Sequence, residues 1–99
     1  MIELKTKYKP YKEINETEFI QRNQWKFKFE NGYGASVICH TLDGRITTYG
    51  NKERPFELAV LFFDGDECTL SYDTPLTDDV IGYLTNEEVE KYLEEIEKL

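Results

Sequence analysis

The sequence predicts an α+β fold: an antiparallel β-meander of about five strands packed against a C-terminal amphipathic α-helix. Three observations carry this expectation. Asn31-Gly32, Asp43-Gly44 and Asp64-Gly65 are each flanked by strand-like sequence, and such pairs mark two-residue hairpins because both central residues of a type I′ turn need positive φ. "QWKFKFE" (24–30) alternates Trp25, Phe27 and Phe29 with Lys26, Lys28 and Glu30. From Thr85 onward, Val89, Tyr92, Leu93, Ile96 and Leu99 recur at helical spacing.

Taken in order, "IELKTKYK" (2–9) alternates Ile2, Leu4, Thr6 and Tyr8 against Glu3, Lys5, Lys7 and Lys9, a pattern suited to an edge strand guarded by lysines and ended by Pro10. "INETEFIQRN" (14–23) reads equally as a helical turn opened by Asn15 or as an extended lead into the Trp25 strand. A two-residue turn at Asn31-Gly32 sets Phe29 opposite Gly34, Phe27 opposite Ser36 and Trp25 opposite Ile38, with Lys28 facing Ala35 and Lys26 facing Val37. Gly34 then makes room for Phe29. The returning strand runs from Tyr33 to about Leu42 and is followed by the short strand "RITTY" and the polar loop "GNKERP", stopped at Pro55. "FELAVLFF" (56–63) is apolar enough for a central strand covered on both faces, and it turns through Asp64-Gly65 into "DECTLSY". "TPLTDDVIGYL" (74–84) reads as an ordered loop or a helical turn started by Thr77 or Asp78, pinned by Val80, Ile81, Tyr83 and Leu84. Thr85 with Glu88 forms a capping box for the last helix.

Composition bounds the class. A chain of 99 residues, 39% apolar and 14% aromatic, makes a single folded domain over 1–99. No window has the apolar length of a membrane span, and the lysine-interleaved N-terminus lacks a signal-peptide core, so a cytoplasmic protein with reduced Cys39 and Cys68 is expected. The sequon at Asn15 is then a chance match. Charge is unevenly placed: residues 1–63 hold 10 Lys+Arg and 8 Asp+Glu, whereas residues 64–99 hold 12 Asp+Glu against Lys91 and Lys98, a net of −10. Such a half repels phosphate backbones and membranes and attracts basic protein grooves, with a merely solvated, solubilising surface as the plain alternative.

Several chemistries fail on spacing. "GYGASV" lacks the third glycine of a dinucleotide loop and leads into a strand where that loop opens a helix. Cys39 and His40 are strand neighbours pointing to opposite faces, and His40 is the only histidine, so no Cys-His pair forms between them. One His with two distant Cys does not make a zinc site. "DGDECTLSYDTP" has Thr69 and Pro75 where a calcium loop needs Gly and Glu. Carboxylate pairs drawn from Asp64, Asp66, Asp73, Asp78 and Asp79 have no spacing that sets them apart from surface acids. No enzyme activity and no cofactor is expected.

The segments "FENGYGASVI" (29–38), "ELAVLFFDGD" (57–66) and "DTPLTDDVIGYLTNEEVEKYLEEIEKL" (73–99) resemble a group of small proteins carried by phages and prophages of Gram-positive bacteria. The resemblance covers roughly the last 70 residues and attaches no catalytic role to any position. It implies a mobile-element origin, where small acidic proteins inhibit host defence enzymes such as CRISPR nucleases or restriction systems. The leading expectation is therefore a non-enzymatic module, in the cytoplasm of an infected or lysogenic bacterium, that fills the basic groove of a nucleic-acid-binding protein by imitating phosphate spacing. Its contact residues would be Asp78, Asp79, Glu87, Glu90, Glu94 and Glu97. It would not bind nucleic acid or membrane directly. One alternative is a nucleotide-sequestering protein using Trp25, Tyr33 and Tyr49 with Lys26, Lys28 or Arg45 at a dimer seam. Another is a phage accessory or assembly protein acting through homo-oligomeric contacts, with a homodimer formed through the sheet.

Overall fold

The computed structural model describes residues 2–65, the backbone path of 67–70, and 80–99. Among them an antiparallel sheet carries one C-terminal helix, as the hydrophobic pattern requires. The strands are β1 (Lys12–Thr17), β2 (Gln21–Lys28), β3 (Tyr33–Ile38), β4 (Thr41–Leu42), β5 (Arg45–Ile46), β6 (Phe56–Asp64), β7 (Glu67–Leu70) and β8 (Ile81–Leu84), and the helix is α1 (Asn86–Glu97). β1, β2 and β3 form consecutive hairpins. β3 pairs onward with β6, whose other edge holds β7 along its C-terminal half and β8 along its N-terminal half. The ambiguous stretch 14–23 is thus β1, a turn through Glu18–Ile20 and the start of β2, with no helical turn.

The register between β2 and β3 corrects the expected one by a single residue. Trp25 pairs with Val37, Phe27 with Ala35 and Lys28 with Gly34. The cause is the turn. Gly32 N–H reaches Phe29 O (3.2 Å) and Phe29 N–H reaches Tyr33 O (2.8 Å), so the loop has three residues, Glu30 to Gly32. Of the Asn31-Gly32 pair only Gly32 has positive φ, at 87°, which is the glycine-bulged three-residue hairpin rather than type I′. Because side chains alternate, the shift decides which of 34–39 point inward. Ala35, Val37 and Cys39 are fully buried beside Trp25 and Phe27. Gly34 still answers a packing demand, but not from Phe29. A Cβ there would lie 2.0 Å from Phe27 O and 2.6 Å from Phe63 Cε2.

At Asp43-Gly44 both residues do have positive φ, 51° and 78°, and Leu42 pairs with Arg45, as a type I′ turn demands. At the third turn Asp64 pairs with Glu67, so Asp64 closes the strand and Gly65 (φ 65°) enters the turn, one residue later than expected. β3 stops at Ile38 because Asn23 N–H donates to His40 Nδ1 (3.2 Å) where a strand carbonyl would otherwise accept.

On the inner face, β3, β6 and β8 pack against α1, whose Val89, Leu93 and Ile96 are fully buried in one cluster with Trp25 and Phe27 of β2. Each such aliphatic side chain removed from water contributes roughly 1.5–3 kcal/mol. β6 is covered on both faces over much of its length, with Leu58 and Val60 inward and Leu61 and Phe63 on the opposite side, although Phe62 is exposed. Leu84 reaches the core, whereas the Tyr83 side chain, at φ 56°, is half exposed and Tyr83 is held through its backbone, its N–H on Tyr49 O (2.9 Å). Thr77 and Asp78 lie outside the described residues. The largest departure concerns residues 2–10. Their alternation in burial holds, but they form no strand, lying instead extended across α1 with Ile2, Leu4 and Tyr8 against the core. Among the described residues no helix is long and apolar enough to cross a membrane.

Gly34→Ala places a methyl group on a backbone carbonyl that cannot retreat, and we expect it to cost about 3 kcal/mol or more. Gly44→Ala, in a turn with nothing near the added carbon, should cost only about 1–2 kcal/mol. Urea denaturation of the two variants checks the order.

Candidate functional site

The expected contact residues gather on α1. Thr85 starts it: its hydroxyl accepts Glu88 N–H (3.2 Å) and Glu88 Oε1 accepts Thr85 N–H (3.1 Å), the two halves of a capping box. The last turn has no basic residue, yet its free carbonyls are not left to solvent. Asn31, from the β2–β3 loop, donates its side-chain amide to Ile96 O (2.9 Å), Glu97 O (3.1 Å) and Leu99 O (3.3 Å), while its Oδ1 accepts Tyr33 N–H. A turn asparagine therefore also caps a helix more than sixty positions later, a role without any local signal in the sequence.

Glu87, Glu90, Glu94 and Glu97 follow one stripe of α1 at three- and four-residue intervals, spanning about 15 Å at 1.5 Å per residue. Glu87 is exposed. The other three are joined to the chain's own N-terminal segment. Lys5 N–H donates to Asn86 Oδ1 (2.7 Å), while Thr6 Oγ (3.0 Å) and Lys7 N–H (2.7 Å) both donate to Glu90 Oε1. Lys7 Nζ meets Glu94 Oε1 at 2.8 Å, and Tyr8 OH donates to Glu97 Oε1 at 3.2 Å. A backbone hydrogen bond from Lys7, then the Thr6 hydroxyl, holds the Glu90 carboxyl below its ordinary range. Glu88 is lowered by the Thr85 backbone first, with Arg54 adding to it. Arg54 spans Glu88 (2.6 Å) and Tyr83 O (2.7 Å).

The stripe is thus partly matched from within. In each contact with the N-terminal segment the acceptor is Oε1, and a carboxylate has a second oxygen able to accept. Glu95, which sequence reasoning did not single out, is exposed on the same helix. Asp78 and Asp79 lie outside the described residues.

The remaining candidates are separated by the sheet. Trp25 is 4% exposed and donates its indole N–H to Glu13 (3.1 Å), so it cannot stack on a ligand. Lys26 and Lys28 alternate with it and take the other face. Cys39 lies in the core, where burial pushes its thiol up to about 11, so no thiolate forms near neutrality. His40 is lowered by burial and then by Arg22, against an opposing pull from Glu57, consistent with a ring whose Nδ1 accepts a backbone N–H. Among the described residues no group of three or more His, Cys, Asp or Glu could hold a metal ion.

These shifts fix an acid profile. His40 has a folded pKa below its ordinary 6.5, so the stability it contributes is complete above 6.5 and falls as pH drops from there toward the folded value. Glu88 and Glu90, both below 4.5, contribute stability that is complete above 4.5 and lost as pH falls through their folded values. Urea midpoints should therefore fall in two stages, and His40→Asn should flatten the first alone. Glu90→Gln, which keeps an acceptor but removes the charge, should speed amide exchange at Lys7 by about tenfold and leave the core amides of β3 unchanged. Comparison with protein-family models, with curated proteins and with solved structures finds no match, so function rests on these residues alone.

Proposed function

We propose that the chain is a non-enzymatic protein-binding module that sets its carboxylates against the basic surface of a nucleic-acid-binding protein and thereby blocks that surface. The observation that carries this reading is the net −10 of residues 64–99 against +2 before them. A charge excess of this size, confined to one third of a small chain, steers association with a positive groove and disfavours phosphate backbones.

The geometry of α1 supports the reading in a modified form. Glu87 and Glu95 are exposed, and they are the residues from which a partner's arginines or lysines would gain most. Glu90 and Glu94 are anchored by Thr6 and Lys7. Such anchoring removes rotamer freedom before a partner arrives, which lowers the entropic cost of binding. It also offsets part of their charge, so the stripe imitates a phosphate row less fully than six unopposed carboxylates would. The resemblance to phage and prophage proteins points to host defence machinery, a CRISPR or restriction protein in the bacterial cytoplasm, as the class of partner.

Affinity capture from a bacterial lysate at low and high salt, with duplex DNA as competitor, tests the reading. The captured partner should be a nucleic-acid-binding protein, released by salt and by DNA. Glu87→Lys with Glu95→Lys should weaken capture about tenfold or more without altering the urea midpoint. Capture indifferent to salt, DNA and the double variant would overturn it.

A further inference from the structure

We infer that the groove between the β4–β5 hairpin and the 50–55 loop is a binding site for a small phosphomonoester with a compact apolar body. It is independent of the acidic stripe. The groove encloses about 580 Å³, within the usual range for small-molecule sites. Among the described residues its charged lining is Arg45 and Lys52, with no Asp or Glu beside them in the lining, in a chain of net −8. Thr41 and Asn51 add polar groups, while Ile2, Ile46 and Pro55 supply apolar surface.

The walls are built and held. On one side the type I′ turn at Asp43-Gly44 fixes the hairpin that carries Arg45. On the other, Asn51 closes the loop twice, its N–H on Arg54 O (3.0 Å) and its Oδ1 accepting Arg54 N–H (2.8 Å). Gly50 lies so close to Pro55 that a Cβ would come within 2.5 Å of its carbonyl oxygen. The loop also sorts its charges. Arg54 is drawn away to Glu88 and Tyr83 O, Glu53 does not line the groove, and Lys52 does. Neither Lys52 nor Arg45 has an ion pair among the described residues.

Two cations that carry no ion pair among the described residues fit one doubly charged group, and a phosphomonoester carries about −1.5 to −2 near neutral pH. Arg45 supplies the planar fork that such oxygens accept from, and Lys52 a point charge. Ile2, Ile46 and Pro55 give the rest of the ligand an apolar surface to leave water for. A long polyanion fits less well, since the remaining surface of a −8 protein repels it.

Phenyl phosphate is the minimal probe, with inorganic phosphate and phenol as its two halves. With the full chain, millimolar phenyl phosphate should raise Tm by about 4 °C and shift the amide resonances of Gly44, Gly50 and Asn51, while either half alone does much less. Arg45→Gln with Lys52→Gln should abolish both effects and leave the ligand-free Tm within about 1 °C. No Tm or amide change with phenyl phosphate would overturn the proposal, as would an effect that survives the double variant. Equal effects from phenol, which has no phosphate, or from inorganic phosphate, which has no apolar body, would also overturn it.

Discussion

The hairpin between β2 and β3 sets the constraint on which the rest of the molecule depends. Closing it with three residues and a bulged Gly32, instead of two, shifts the pairing of two central strands by one position. In a sheet with a helix on one face this reverses every side chain of the returning strand. The observed register sends Ala35, Val37 and Cys39 under α1 and leaves Gly34 where Phe63 can cross it. The same turn holds Asn31 beneath the C-terminus of α1, where its amide reaches three carbonyls. A two-residue turn would lose both the core and the cap. "NGYGASVICH" is therefore a structural hub, and its Cys-His pair is chemically divided by the sheet.

Charge is organised around that frame in a way that a simple count conceals. The glutamates of α1 satisfy several demands at once: Glu88 completes the cap and meets Arg54, while Glu90, Glu94 and Glu97 receive the N-terminal segment. Contacts of this kind between exposed groups contribute little individually. Together they give an extended stretch without sheet hydrogen bonds a defined course, helped by the burial of Leu4 and Tyr8. On α1 the exposed carboxylates that make no contact with the N-terminal segment are Glu87 and Glu95.

Much of the fold was legible because its signals are local. The capping box, the stripe of Val89, Leu93 and Ile96, the Asp43-Gly44 turn and the alternation around Trp25 each depend on residues within a few positions of one another. What was not legible depends on distant partners. Ile2 to Lys9 alternates as an edge strand does, and the alternation is real, but α1 rather than a strand supplies its hydrogen-bond acceptors. Asn-Gly permits both a two- and a three-residue loop, and the choice is settled by how Phe27, Phe63 and the end of α1 pack. Of the candidate site, the stripe itself was readable at helical spacing, whereas its partial occupation by Thr6, Lys7 and Tyr8 was not. Trp25 has the chemistry of a stacking residue, but its register places it in the core. The groove at Arg45 and Lys52 had no motif at all, because three separate segments build it.

The N-terminal segment joins the two surfaces. Ile2 lines the groove, and a few residues later Lys5 to Tyr8 run along α1 from Asn86 to Glu97. The segment is a single stretch ahead of Pro10 that bends at Lys7 and Tyr8, so seating it at one end would favour seating it at the other. A ligand resting on Ile2 gains only if that residue is in place, and in stabilising it also favours the contacts that fix Glu90 and Glu94. By the reciprocity of linked equilibria, a partner that prefers those glutamates anchored tightens the groove, and one that must displace Lys7 loosens it. Were both proposed sites occupied, coupling between them would pass through this segment, which is held mainly by side chains of α1.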